Sequence, residues 1–71
     1  MSLGRNIRRI RRAQDITQME LAQSLSISQS LLCQIERGTK NATVELAIDI
    51  AGALGVSITE LIGDDAHNQT A

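Results

Sequence analysis

Residues 17–38, TQMELAQSLSISQSLLCQIERG, constrain this chain more than any other stretch, because they specify two short helices and the corner between them. Thr17-Gln18-Met19-Glu20 is a capping box, in which the Thr17 hydroxyl accepts from the Glu20 N–H while the Glu20 carboxylate reaches back to the Thr17 N–H. Leu21, Ala22 and Leu25 then fall on one side of a short helix. Ser26 breaks that helix, Ile27 plugs the corner, and Ser28 is an N-cap for the next. Leu32 and Ile35 mark the buried side of the second helix, and Gly38 supplies a left-handed stop. Between them Gln29, Ser30, Cys33 and Gln34 face outward. A short helix presenting amides and hydroxyls suits the reading of base edges in a DNA major groove. The bland alternative is an ordinary solvated polar face.

These residues resemble the helix-turn-helix of the lambda-repressor-like family, of Cro/repressor or XRE type. Gln18 opens the first helix, Leu21-Ala22 lie within it, and Ile35-Glu36-Arg37-Gly38 close the second. The resemblance runs from about Leu3 to Ile62 and implies an all-α, compact five-helix DNA-binding domain over residues 1–63, with 64–71 as a polar, disordered C-terminal tail. It further implies that Gln29, Ser30 and Gln34 read bases, with Gln29 on adenine, and that Arg8, Arg9, Gln18, Lys40 and Asn41 hold phosphates. Arg11 stands where the family places an arginine that pairs with the glutamate at Glu36, a structural ion pair between the first helix and the recognition helix. Departures are Asp15 and Ser26 at turn positions where Gly is usual, Leu31 where a polar residue is common, Cys33 where Ser is common, and Ala42 in place of Pro.

Elsewhere the pattern is helical. Leu3, Ile7 and Ile10 make residues 3–14 a first amphipathic helix, whose outward arginines are either a solvated face or phosphate contacts. Thr43 caps a fourth helix with Val44, Ala47, Ile48, Ala51 and Leu54 at helical spacing and Gly55 at its end. Ser57-Ile58-Thr59-Glu60 is a second capping box, opening a last helix through Ile62. That helix is too short to hide Ile58, Leu61 and Ile62 on one face, which puts Ile58 at a homodimer interface; the alternative is that all three close the monomer core.

Composition excludes several classes. The chain has 71 residues, one Cys, and no Phe, Tyr, Trp or Pro. It therefore has no internal disulfide and an aliphatic core, and it lacks the aromatic platforms on which single-stranded bases stack. No run of about 20 apolar residues and no signal-peptide pattern is present, so a cytoplasmic protein without membrane contact is expected. The lone His67 lies in the polar tail with Asp64 and Asp65, and no catalytic set, metal site or cofactor site can be assembled around it. Net charge is −1 but unevenly spread: all seven basic residues lie in 1–40, giving +4 there, against −5 for 41–71. The expected partner is thus double-stranded DNA, as a palindromic operator bound by a homodimer. An antitoxin of a toxin–antitoxin pair, with a protein partner, is the rival, favoured by the acidic half and Leu31.

Overall fold

The computed structural model describes residues 2–63, so the expected tail 64–71 lies outside the described residues. Five helices follow one another: α1 (Ser2–Ala13), α2 (Gln18–Leu25), α3 (Gln29–Arg37), α4 (Val44–Leu54) and α5 (Ile58–Ile62), with no strand among the described residues. The all-α architecture expected from the periodicity is what forms.

Local chemistry sets each boundary. Thr17 and Ser57 form the two capping boxes, while Ser28 and Thr43 accept from the N–H groups of Leu31 and Leu46. Each satisfies a backbone donor that a helix start would otherwise leave bare. Gly38 and Gly55 end α3 and α4 in left-handed conformations, at φ 82° and 71°. Asp15 and Ser26 adopt the same region at φ 59° and 58°, a conformation that disfavours side chains with a Cβ.

The core takes one large aliphatic side chain from each helix: Ile7, Leu21, Leu32, Ile50 and Leu61 are fully buried. Leu3, Ile10, Leu25, Ile27 and Leu31 pack around them, half-buried. Gly4 lets α1 cross the end of α3, since a Cβ there would collide with the carbonyl oxygens of Ile35 and Glu36. Two polar side chains fasten helix ends to this frame: the Gln14 amide donates to the Leu54 carbonyl at 2.7 Å, and the Asn6 amide donates to that of Leu61 at 2.8 Å. Both are terminal carbonyls without an intrahelical partner.

The apolar row of α4 differs from the expected one. Val44 and Ile48 are 76% and 53% exposed, and the buried row is Ala47, Ile50, Ala51 and Leu54. That row follows the i, i+3, i+4, i+7 register of a single helix face, whereas Val44 and Ile48 lie on its flank. In α5, Leu61 is fully buried, Ile58 is 36% exposed and Ile62 is half-buried.

Candidate nucleic-acid interface

The turn between α2 and α3 is closed by backbone bonds from the N–H groups of Ser26 to the Gln23 carbonyl (3.1 Å) and of Ile27 to that of Ala22 (3.0 Å). The left-handed Ser26 makes the chain reverse there, and Ile27 packs against the core beneath it. α3 then rests on α1 and α2, while α4 packs against α2, α5 and α1. The acidic side chains Glu45, Asp49 and Glu60 on α4 and α5 are therefore carried by elements other than those that support α3.

α3 divides cleanly. Leu32, Ile35 and Glu36 are buried; Gln29, Ser30, Gln34 and Arg37 are exposed; Leu31 and Cys33 are half-buried. At 100° per residue, Gln29, Cys33, Arg37, Ser30 and Gln34 form a continuous outward sector. Leu31 packs its side chain partly on the core, which accounts for an apolar residue at that margin. Ser28 and the first turn fix the start of the helix, and the N–H groups of Gly38, Thr39 and Lys40 cap its end through the carbonyls of Ile35 and Gln34.

Beneath this face lies a buried ion pair. Arg11 is 8% exposed and Glu36 9%. The Arg11 Nε and Nη2 donate to Glu36 Oε2 and Oε1 at 2.8 and 3.1 Å, and Nη1 donates to the Ile16 carbonyl at 2.9 Å. The pair leaves no buried side-chain polar atom without a partner among the described residues. Gln18, at the start of α2, donates from Nε2 to Glu36 Oε1 at 3.1 Å, and its own Oε1 accepts from Gln29 Nε2 at 3.4 Å.

An open hollow of about 290 Å³ lies where these groups meet, lined by Arg8, Arg11, Gln18, Cys33, Glu36 and Arg37. Arg8 brings an exposed guanidinium from α1 and Arg37 another from the last turn of α3. Arg9 is exposed and donates to Asn6 Oδ1 at 3.4 Å. Lys40 and Asn41 are exposed in the loop between α3 and α4. Arg37 is a member of the site that sequence reasoning misses, although it lies one helical turn from Cys33 and two from Gln29, a spacing that puts it on the outward sector. Cys33 is a free, half-buried thiol at the rim.

Glu20, the acid of the first capping box, has its pKa held below the ordinary carboxylate range by hydrogen bonds from the Thr17 backbone and hydroxyl. Its negative charge sits in the first turn of α2, where the helix dipole favours it.

The chain matches the family described as Helix-turn-helix over residues 7–61. It belongs to this XRE-type, lambda-repressor-like helix-turn-helix family. The family is a DNA-binding class of transcriptional regulators, not of enzymes. Relatives include the immunity repressor protein of Bacillus phage phi105, 34% identical over 65 residues, which cover 92% of this chain and 45% of the repressor. The antitoxin PezA of Streptococcus pneumoniae is 35% identical over 63 residues, covering 89% of this chain and 40% of the antitoxin. The chain thus spans under half the length of either relative. Among solved structures, the clp gene regulator ClgR of Corynebacterium glutamicum superposes with a TM-score of 0.86 at 30% identity, covering 97% of this chain and 73% of that one. In this helix-turn-helix domain no described helix is long and apolar enough to cross a membrane, and no described His, Cys, Asp and Glu side chains group as metal ligands.

Proposed function

We propose that the chain is a sequence-specific double-stranded DNA-binding transcriptional regulator that reads a palindromic operator as a homodimer. The observation that carries this reading is the outward sector of α3: exposed amide and hydroxyl groups on Gln29, Ser30 and Gln34, flanked by the exposed cations Arg8, Arg37 and Lys40. Such a helix fits the major groove, where amides distinguish base pairs and cations neutralise phosphates. Arg8, Arg9, Gln18, Lys40 and Asn41 are the proposed backbone contacts, and duplex DNA implies the cytoplasm as the compartment. Selecting bound duplexes from a random pool tests the reading. An enriched two-fold symmetric motif is expected; recovery of unrelated sequences would contradict it.

Pairing is proposed through α5, where Ile58 remains 36% exposed beside the fully buried Leu61. Isologous contact would cover it and set two copies of α3 about 34 Å apart, one turn of the duplex.

One observation favours a second reading. Val44 and Ile48 are exposed on α4 next to Glu45 and Asp49, an apolar strip with an acidic margin on a helix other than α3. With an antitoxin among the relatives, this strip is where a protein partner would sit. Stable co-purification with one protein, abolished in Ile48→Asp, would favour that reading over a purely DNA-bound dimer.

A further inference from the structure

Val44, Ile48 and Gly52 fall at i, i+4 and i+8, a straight row about 12 Å long on the outer face of α4. All three are exposed. Val44 and Ile48 stand up as two knobs, while Gly52 leaves a notch, where an added Cβ would meet no neighbouring atom within 4 Å. Glu45 and Asp49, also exposed, run beside the row at the same four-residue spacing, about 6 Å apart along the helix axis. Among the described residues neither carboxylate has a cation beside it; the ion pair there joins Arg11 to Glu36. No Lys or Arg follows Lys40 in the sequence. None of these side chains lines the hollow at the α3 face, and a pair of carboxylates repels phosphates. This face is turned to something other than DNA.

We infer that the outer face of α4 docks an amphipathic helix of a different protein, one whose apolar row is flanked on one side by Lys or Arg, while α3 stays free for the duplex. The inference rests on the protein-partner reading of this strip and adds the partner's chemistry. An apolar row laid against Val44 and Ile48 removes both from water, and the notch at Gly52 admits a large side chain from the incoming helix. Cations four residues apart on that helix meet Glu45 and Asp49 in register. The chain itself supplies no such element. A second copy of α4 brings two more carboxylates and no cation to the row, whichever way it runs. α1 is basic, but its large apolar residues Leu3, Ile7 and Ile10 are committed to the core. Residues 64–71 carry Asp64 and Asp65 and no large apolar side chain.

The probe is a library of single displayed helices with randomised face positions, selected on the full chain and counter-selected on Ile48→Asp. Val44 and Ile48 are both exposed, so Ile48→Asp and a second variant, Val44→Asp, keep the core intact, which melts verify. The helices recovered are expected to carry an apolar row with Lys or Arg on one flank. Made as a synthetic peptide, such a helix loses at least about tenfold in affinity for Ile48→Asp and for Val44→Asp. It loses affinity likewise for the double variant Glu45→Lys/Asp49→Lys, and exchanging the peptide's cations for Glu restores binding to that variant. Its affinity for wild type is the same with and without saturating duplex DNA. Recovered helices without a basic flank, or a charge exchange without rescue, overturn the partner's chemistry and leave the strip as a docking site. Failure to recover any helix that separates wild type from Ile48→Asp defeats the protein-partner reading itself, and the inference with it. Competition between peptide and duplex overturns simultaneous occupancy. Sedimentation that finds wild type paired and Ile48→Asp monomeric assigns the strip to a second copy, which also overturns the inference.

Discussion

The guanidinium of Arg11 grips the carboxylate of Glu36 with two bonds, 2.8 Å from Nε to Oε2 and 3.1 Å from Nη2 to Oε1, across 25 positions of sequence. Its third bond, to the Ile16 carbonyl, holds the turn that leads into α2. One side chain of α1 thereby locks the start of the helix-turn-helix to the last turn of its second helix. A buried pair of this kind is weak evidence for net stability, since both charges have been desolvated, but removing one partner leaves the other buried and unpaired. Arg11→Ala is therefore expected to cost about 3 kcal/mol. In a domain of this size that lowers the melting temperature by more than about 10 °C. Replacing both partners with apolar residues of similar volume will recover much of the stability, and thermal melts of the single and double variants measure it.

Ser26 provides an opposite case, in which a substitution improves the fold. Its φ of 58° and ψ of 38° place it in the left-handed region, and its residue type has no special tolerance for it. Ser26→Gly removes that strain, at the cost of a more flexible unfolded chain. The net expected gain is a few tenths to about 1 kcal/mol, read from the melt. Asp15→Gly will gain less at φ 59°, because Asp tolerates this conformation better.

The helices of the helix-turn-helix and their caps are legible in the sequence because each cap depends on residues within one turn of itself: Thr17 with Glu20, Ser28 with Leu31, Ser57 with Glu60. The register of α4 is not, because Val44 and Ile48 share a spacing with the true core row, and only packing against α1, α2 and α5 selects Ile50 over Ile48. Gly4 carries no visible signal, since its role comes from α3 crossing 31 residues and more away in sequence. The same holds for the chain of amides from Glu36 to Gln29. The residue types are evident, but which atoms face each other depends on side-chain torsions set by tertiary packing. Arg37 is within reach of the helical spacing, yet in the sequence it reads only as charge.

The proposed backbone contacts separate from base contacts by their response to salt. Arg8→Ala and Lys40→Ala will weaken binding to every duplex by similar factors. Removing one phosphate partner flattens the slope of log K against log salt by about 0.9. Titrations at several salt concentrations measure the slope, and an unchanged value for either variant removes that residue from the footprint.

The dimer interface through α5 is tested by a contrast between neighbours. Ile58, 36% exposed, can accept a charge without disturbing the core, so Ile58→Asp is expected to give a folded monomer with steeply reduced affinity for the palindrome. Leu61 is fully buried, and Leu61→Ala will lower stability by about 2–5 kcal/mol through the cavity it leaves. Sedimentation and melts of the two proteins distinguish them; an Ile58→Asp protein that still dimerises moves the interface to another surface.

In the proposed reading, base recognition by α3 depends most directly on Gln29, the exposed amide at the start of the helix, which donates to Gln18 Oε1 at 3.4 Å. The decisive measurement is the affinity of Gln29→Ala for the selected duplex and for random duplex, side by side at one salt concentration. The prediction is a loss of about 1–3 kcal/mol on the selected duplex, with relaxed preference at one base pair per half-site and nearly unchanged binding to random DNA. An equal loss on both duplexes would contradict it and make Gln29 a contact to the backbone alone.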